Sequence, residues 1–474
     1  MRLELDFILK ATGGKVIQQK QTSFSAVGTD TRKNLKDQVF IALAGDNYDA
    51  HSFLVQAVQS SASALLVHRW DGSVQTDVTV ILVEDTLKAL QDLGHAVRRN
   101  NKAMVIGITG SNGKTTSKEF SAQLISASRK VSYSRGSFNN HWGVPMTLLE
   151  VPEDAQVSLV EMGMNHAGEI QRLCQIAEPD VVVCTMVGRA HIEHFGSIEK
   201  IAEAKSEIYQ HSPLNNLKIY NLDDPQTWKM WNYWTQKHGS EKVLTFSQSD
   251  PTANVYLQLL DESMGSLGIQ GHIQGCSGKM LIHLIGRQNM TNIMVAICNA
   301  LAVGISAEQI WKDLTLLKTH WGRNQIVQRQ DQGKILFDAY NANPDSMKAL
   351  VLNLQSWKSA KQKDQKWIGV FGEMLEMGDA SPQLHEELGA LVASAGFDEI
   401  YFQGKQGAAF QKGLQQQGYT GRLQLTEKFD PEMAQSIAQQ LRPQDFLVLK
   451  GSRGMKLERY VDLIPTKDFG SKDA

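Results

Sequence analysis

Residues Lys102–Thr116 read KAMVIGITGSNGKTT. The first half is an apolar run rich in β-branched residues, the middle is small and polar, and Lys114-Thr115-Thr116 opens a helical pattern. Strand, loop and helix N-terminus in that order form a phosphate cradle, because the unpaired N–H groups at the start of a helix face an anion. The loop is tighter than G-x-x-x-x-G-K-[ST]: Ile108 stands where the first glycine of that pattern would fall. Backbone N–H groups of Gly110, Ser111, Asn112 and Gly113 would wrap a phosphate, Lys114 would neutralise it, and Thr115, followed by Thr116, would offer a hydroxyl to Mg²⁺. A glycine-rich turn with an incidental lysine is the competing reading.

Around this loop the chain alternates strand and helix. VSLVEM, VVVCTMV, KIYNL and KVLTF follow as short apolar runs separated by helix-compatible stretches, the pattern of a parallel sheet with crossover helices. Residues 254–285 alternate like an antiparallel flap and lead into helical ICNALAVG and EQIWKDLTLL. From Trp321 a second series, KILFDAY, KWIGVFG, EIYFQG and DFLVLKG, predicts a separate doubly wound domain. Before the loop, VFIALAG and ALLVHR sit among turn residues, as in a small mixed α/β domain. The expected architecture is therefore α/β in three domains, 1–84, 85–320 and 321–474. A length of 474 residues suits that number.

Magnesium beside a phosphate needs hard oxygen ligands, which an open α/β sheet supplies from the carboxyl ends of neighbouring strands. Glu161 ends one such strand, and the next runs into His191. The competing reading of Glu161 is a solvated strand-end carboxylate, and His191 with His194 could be a weak zinc pair or a polar loop. In SIEKIAEAKSEIYQ, Ser197 can cap a helix whose Ile198, Ile201, Ala202, Ile208 and Tyr209 recur at helical spacing. By pattern alone Lys205 pairs with Glu203 or Glu207 on the solvent side.

Composition closes off several classes. The net charge is −2 with signs interspersed, so nothing draws the chain to nucleic acid or an anionic membrane. Cys174, Cys184, Cys276 and Cys298 form no C-x-x-C pair, which suits buried thiols in a reducing, cytoplasmic compartment. Glu4 and Asp6 stand where a signal peptide would carry positive charge, and no apolar stretch is long enough for membrane insertion.

Taken together, TGSNGKTT, EMGMN, AHIEHFGSIEKIAEAKSEI, GRQNMTN, GRNQ, FDAYNANPDSM and KGSRGM resemble the ATP-dependent Mur ligases of peptidoglycan synthesis. The similarity runs in order from about Gly28 to Arg453. Within the family it is greatest to the type that adds D-alanyl-D-alanine to UDP-N-acetylmuramoyl-tripeptide. The resemblance implies a UDP-sugar-binding domain, a central P-loop ATPase domain and a C-terminal Rossmann-like domain that closes over ATP. It implies a CO₂-derived carbamate on Lys205, which completes a magnesium site with Thr115, Glu161 and His191. It places Asn289 and Asn292 at adenine, Arg323 at the phosphates, Asp338 at ribose, and Asn341 and Asn343 along the closing seam. Thr31, Arg32, Ala44, Gly45 and Asn47 fall at the uridine, Asn139, Asn140 and Thr147 at the muramoyl-peptide, and Lys450, Ser452 and Arg453 at the dipeptide or acyl chain. A monomer is expected. Two other classes stay open: a relative that adds a diamino acid or glutamate, and a non-ligase P-loop protein. The first lacks its DNPR segment here, and the second gives Glu161, His191 and Lys205 no joint reason to exist.

Overall fold

The computed structural model describes residues 2–45, 48–74, 76–134, 136–190, 192–467 and 469. Strand Met104–Thr109 lies inside a nine-stranded sheet, with Val157–Glu161 on one side and Val181–Cys184 on the other, both parallel to it. Val131–Tyr133 forms one edge. Beyond Val181–Cys184 come Leu217–Asn221 and Val243–Ser247, then Val255–Ser263, Ser266–Ile273 and Cys276–Ile282. The last three are the expected flap, antiparallel to one another, and they continue the same sheet. Because the chain moves to opposite sides of Met104–Thr109, a crevice opens at the carboxyl ends of these strands, where open α/β sheets bind ligands.

Each face of this sheet carries a core. Helices Lys114–Ser126 and Asn289–Ala302 pack on one face, with Phe120, Ile125, Ile293 and Ile297 fully buried. Helices Glu169–Ala177 and Ile198–Gln210 cover the other with Ile170, Leu173, Ile201 and Ile208. Asn289–Ala302 is apolar nearly all round, as a helix enclosed by protein must be. It begins at Asn289 rather than at the ICNALAVG segment read from the sequence.

The N-terminal sheet runs in the order Lys15–Gln18, Thr79–Leu82, Ala64–Val67, Gln38–Ile41, Ala26–Gly28. Helix Thr86–Asn100 is capped by Asp85, whose carboxylate accepts from Leu87 N at 2.7 Å and Lys88 N at 3.0 Å. Its Ala89, Leu90, Leu93 and Val97 join Leu5, Ile8, Phe24 and Ile41 in one core, so this helix packs with the N-terminal sheet. The C-terminal sheet has six strands, ordered Gln325–Gln328, Lys334–Asp338, Phe446–Lys450, Trp367–Gly372, Glu399–Gln403, Arg422–Thr426. Only the first pairing is antiparallel. The expected α/β class and three-unit arrangement are both present. Among the described residues no helix is long and apolar enough to cross a membrane.

Candidate active site

The phosphate loop follows its strand directly. Gly110 (φ 143°) and Gly113 (φ 83°) take backbone conformations that L side chains rarely adopt. Neighbours also exclude a side chain, since a Cβ would lie 1.9 Å from Thr185 Oγ1 at Gly110 and 2.3 Å from Asn292 Oδ1 at Gly113. Thr185 Oγ1 donates to Asn112 O at 2.5 Å, and Ser111 N to Met186 O at 2.9 Å, so the next strand's exit fixes the loop from outside. Lys114 lies in the first turn of the following helix, its Nζ 2.8 Å from Gly110 O. Burial holds its amine below the ordinary lysine range, and the charge of Glu161 works against that shift. Thr116 is buried in the same turn.

Glu161 is not a solvated carboxylate, being 1% exposed at the end of its strand. One of its oxygens accepts from Thr115 Oγ1 at 2.9 Å and the other from Asn139 Nδ2 at 2.8 Å. Lys205 also departs from its solvent-side reading, with 1% exposure on the inner face of its Ser197-capped helix. Glu203 is exposed, and Glu207 accepts from Gly168 N at 2.7 Å and Gln171 N at 2.9 Å. Burial first, and then the charge of Lys114, pushes the Lys205 amine down to about 7. Thr115 and Glu161 present the hard oxygens magnesium prefers, and magnesium needs few protein ligands because it keeps several waters. His191 lies outside the described residues, and among those described no trio of His, Cys, Asp or Glu could hold a metal.

The C-terminal domain meets this loop. Arg323 Nη2 donates to Thr115 Oγ1 at 3.0 Å, while its guanidinium stacks on the Tyr340 ring at 4.2 Å. Arg323 Nε is buried without a partner among the described residues, an unused donor beside the phosphate loop. Tyr340 in turn bonds Ser137 at 2.6 Å, and Asn343 Nδ2 bridges to Asn112 Oδ1 at 2.7 Å. Asn343 also caps helix Pro344–Trp357 in a capping box with Ser346. Asp338 accepts from Lys450 Nζ at 2.6 Å and Asn324 N at 3.1 Å. Lys450, 1% exposed, thus serves Asp338 and not an open surface. Asn292 accepts from Ser117 at 3.1 Å and donates to Asn289 at 2.9 Å, and Asn289 donates to Ile285 O at 2.7 Å. This buried chain ties helix Asn289–Ala302 to the phosphate-loop helix.

Two cavities meet at Lys114. One, of about 170 Å³, lies between the phosphate loop and the C-terminal domain and is lined by Ser111, Asn341, Asn343, Ser452 and Arg453. The other, of about 760 Å³, lies between helix Thr86–Asn100 and the central domain, against Gln91, Asn139, Asn140 and Arg172. Thr147 turns its hydroxyl onto Gly143 O of its own helix at 2.9 Å, away from this space. Thr31, Arg32, Ala44 and Gly45 line neither cavity; Arg32 pairs with Asp30, and Ala44 and Gly45 form an exposed hairpin. Asn47 is outside the described residues.

Sequence reasoning missed Lys118. It is fully buried, with Nζ donating to Ser134 O at 2.5 Å and Gly136 O at 2.7 Å, so it pins the loop that carries Ser137 and Asn139. Its spacing of one helical turn from Lys114 was the available signal. Tyr340 was missed as well, because nothing local marks its bond to Ser137.

Known proteins resemble the chain over nearly its whole length. Residues 108–300 match the family model of the Mur ligase middle domain, and 322–453 that of the Mur ligase glutamate ligase domain. The UDP-N-acetylmuramoyl-tripeptide--D-alanyl-D-alanine ligase of Bacillus subtilis is 37% identical, covering 94% of this chain and 94% of its own. The Escherichia coli protein of that name is 34% identical over 83% of this chain and 84% of its own. A crystal structure of MurF from Acinetobacter baumannii superposes with a TM-score of 0.86 at 30% identity, covering 98% of this chain and 99% of that one. MurF from Thermotoga maritima in complex with ADP gives 0.74 at 26% identity over 92% and 96%. The chain belongs to the Mur ligase family.

Proposed function

We propose that the chain uses ATP to join D-alanyl-D-alanine to UDP-N-acetylmuramoyl-tripeptide. The observation that carries this reading is the position of Lys114 at the meeting of two cavities, one beside helix Thr86–Asn100 and one closed by the C-terminal domain. The tripeptide carboxylate, lying along Asn139 and Asn140, attacks the γ-phosphorus of ATP; ADP leaves and an acyl phosphate forms. Lys114 and Arg323, with its unused Nε, stabilise the charge spread over the transferred phosphoryl group. The amine of D-alanyl-D-alanine then attacks the acyl carbon, and inorganic phosphate departs with the C–O bond electrons. The seam of Asn343, Arg323 and Tyr340 excludes the water that would hydrolyse the acyl phosphate.

Bound magnesium would draw charge from the phosphate oxygens, held by Thr115 and Glu161 with His191 and Lys205. For Lys205 we infer a carbamate: its neutral amine adds CO₂ and loses a proton, turning a cation into an oxygen ligand. Its depressed pKa supports this, since only the neutral amine reacts. Asp338 is assigned to ribose, with Lys450 fixing its orientation. Asn289 and Asn292 are assigned to the adenine end, and their buried hydrogen bonds seat the phosphate-loop helix. Thr31, Arg32, Ala44, Gly45 and Asn47 are assigned to the uridine. The chain is read as cytoplasmic, which suits its free cysteines, and as a monomer.

The test is phosphate release. UDP-N-acetylmuramoyl-tripeptide with D-alanyl-D-alanine should support it, and UDP-N-acetylmuramoyl-dipeptide with a diamino acid should not. Turnover only with the second pair would assign the chain to a different ligase type.

A further inference from the structure

The cavity between the phosphate loop and the C-terminal domain contains a group with no role so far. Glu376 is the one carboxylate among the described residues that line it, and Lys114 and Arg453 share that lining. Nearby acids are occupied: Glu161 by Thr115 and Asn139, Asp338 by Lys450, Glu458 by Arg453, and Asp345 by Arg189 N. Glu376 is exposed and stands at φ 63°, a left-handed conformation that costs a non-glycine residue about 1 kcal/mol.

The loop holds it there from both sides. Met374 N donates to Nε2 of fully buried His385 at 3.0 Å, and the His385 Nδ1–H is satisfied by Ser381 O at 2.7 Å. Leu375 N donates to Ser452 Oγ at 2.9 Å, and Met374 and Met377 are buried on either side. The bonds of its neighbours hold this left-handed turn, and with it Glu376, at one place in the cavity lining.

We propose that Glu376 receives the ammonium group of the incoming amine acceptor, with Arg453 taking the acceptor's carboxylate. This rests on the ligase reading above. An unprotected peptide acceptor is positive at one end and negative at the other, and a cavity holding only Lys114 and Arg453 would repel its ammonium. Arg453 gives Nη1 to Glu458 and, with five N–H groups on a guanidinium, keeps others for a carboxylate.

The experiment is steady-state kinetics on wild type and Glu376→Gln, varying each substrate, with hydroxylamine as a second nucleophile. Hydroxylamine is neutral, needs no ammonium site, and converts the acyl phosphate to a hydroxamate. Glu376→Gln should raise KM for D-alanyl-D-alanine about tenfold or more. KM for ATP and for the sugar nucleotide should stay within about twofold, and hydroxamate should form as in wild type. An unchanged dipeptide KM overturns the proposal, as does a parallel fall in hydroxamate formation, which would make Glu376 merely structural. A wild-type enzyme that forms hydroxamate but ignores D-alanyl-D-alanine overturns the ligase reading, and the proposal with it.

Discussion

Lys205 is a cationic residue type placed where burial makes a charge expensive. Its folded-state pKa of about 7 lies below the ordinary lysine value of 10.5, so between those pH values the folded chain binds fewer protons than the unfolded chain. Stability therefore rises with pH across that window, and the full burial penalty applies below it. In CO₂-free buffer at pH 7, Lys205→Met should raise the unfolding free energy by on the order of a few kcal/mol while abolishing ligation. Equal denaturation midpoints would show that the amine is not penalised. Lys205→Ala should be nearly inactive and partly rescued by formate or acetate; full activity without rescue would remove the carbamate from the mechanism. Lys114→Ala should lose on the order of 3 kcal/mol of transition-state stabilisation, read as ATP turnover reduced roughly a hundredfold or more in a folded protein. Near-normal turnover would exclude the loop from catalysis.

At the scale of elements, Lys118 links the phosphate-loop helix to the Ser134–Asn140 loop through carbonyls that no apolar side chain could engage. Lys118→Met should leave far-ultraviolet dichroism intact but raise KM for the sugar nucleotide several-fold, because Asn139 loses its fixed place beside Glu161. A KM change confined to ATP would contradict that. The elements most legible in the sequence were those with strong local signals: the buried strands VIGIT, VSLVE and VVVC, the glycine loop, and the Ser197-capped helix. Edge strands Val131–Tyr133, Gln325–Gln328 and Arg422–Thr426 escaped, being short and only partly buried, with no strong apolar run. Contacts made only in three dimensions escaped too. Tyr340–Ser137 and Lys450–Asp338 join residues far apart in the chain, so no spacing rule reaches them. Lys205 shows the reverse failure, since local charge pattern placed it in solvent and tertiary packing buried it.

Across the whole molecule, the C-terminal domain meets the central one through polar contacts at Thr115, Asn112, Ser137, Gln288 and the backbone of Arg189, while Ile285 and Met264 pack into the C-terminal core. Around the phosphate loop the seam is polar, and polar contacts between domains open and close more readily than apolar ones. With a nonhydrolysable ATP analogue and the sugar nucleotide bound, small-angle scattering should fit the arrangement described here. Tyr340→Phe should shift the curve toward a larger radius of gyration at the same ligand concentrations. Identical curves for both proteins would mean that the Tyr340 hydroxyl does not govern closure.

The shared position of Lys114 also bears on inhibition. A molecule that reached from the larger space through to the smaller one would hold this ammonium from two directions and engage both substrate spaces at once. Resistance usually arises by changing a contact residue while sparing turnover. Here the contact at the centre is the one the chemistry needs, so escape by substitution at that point would cost the cell the reaction itself.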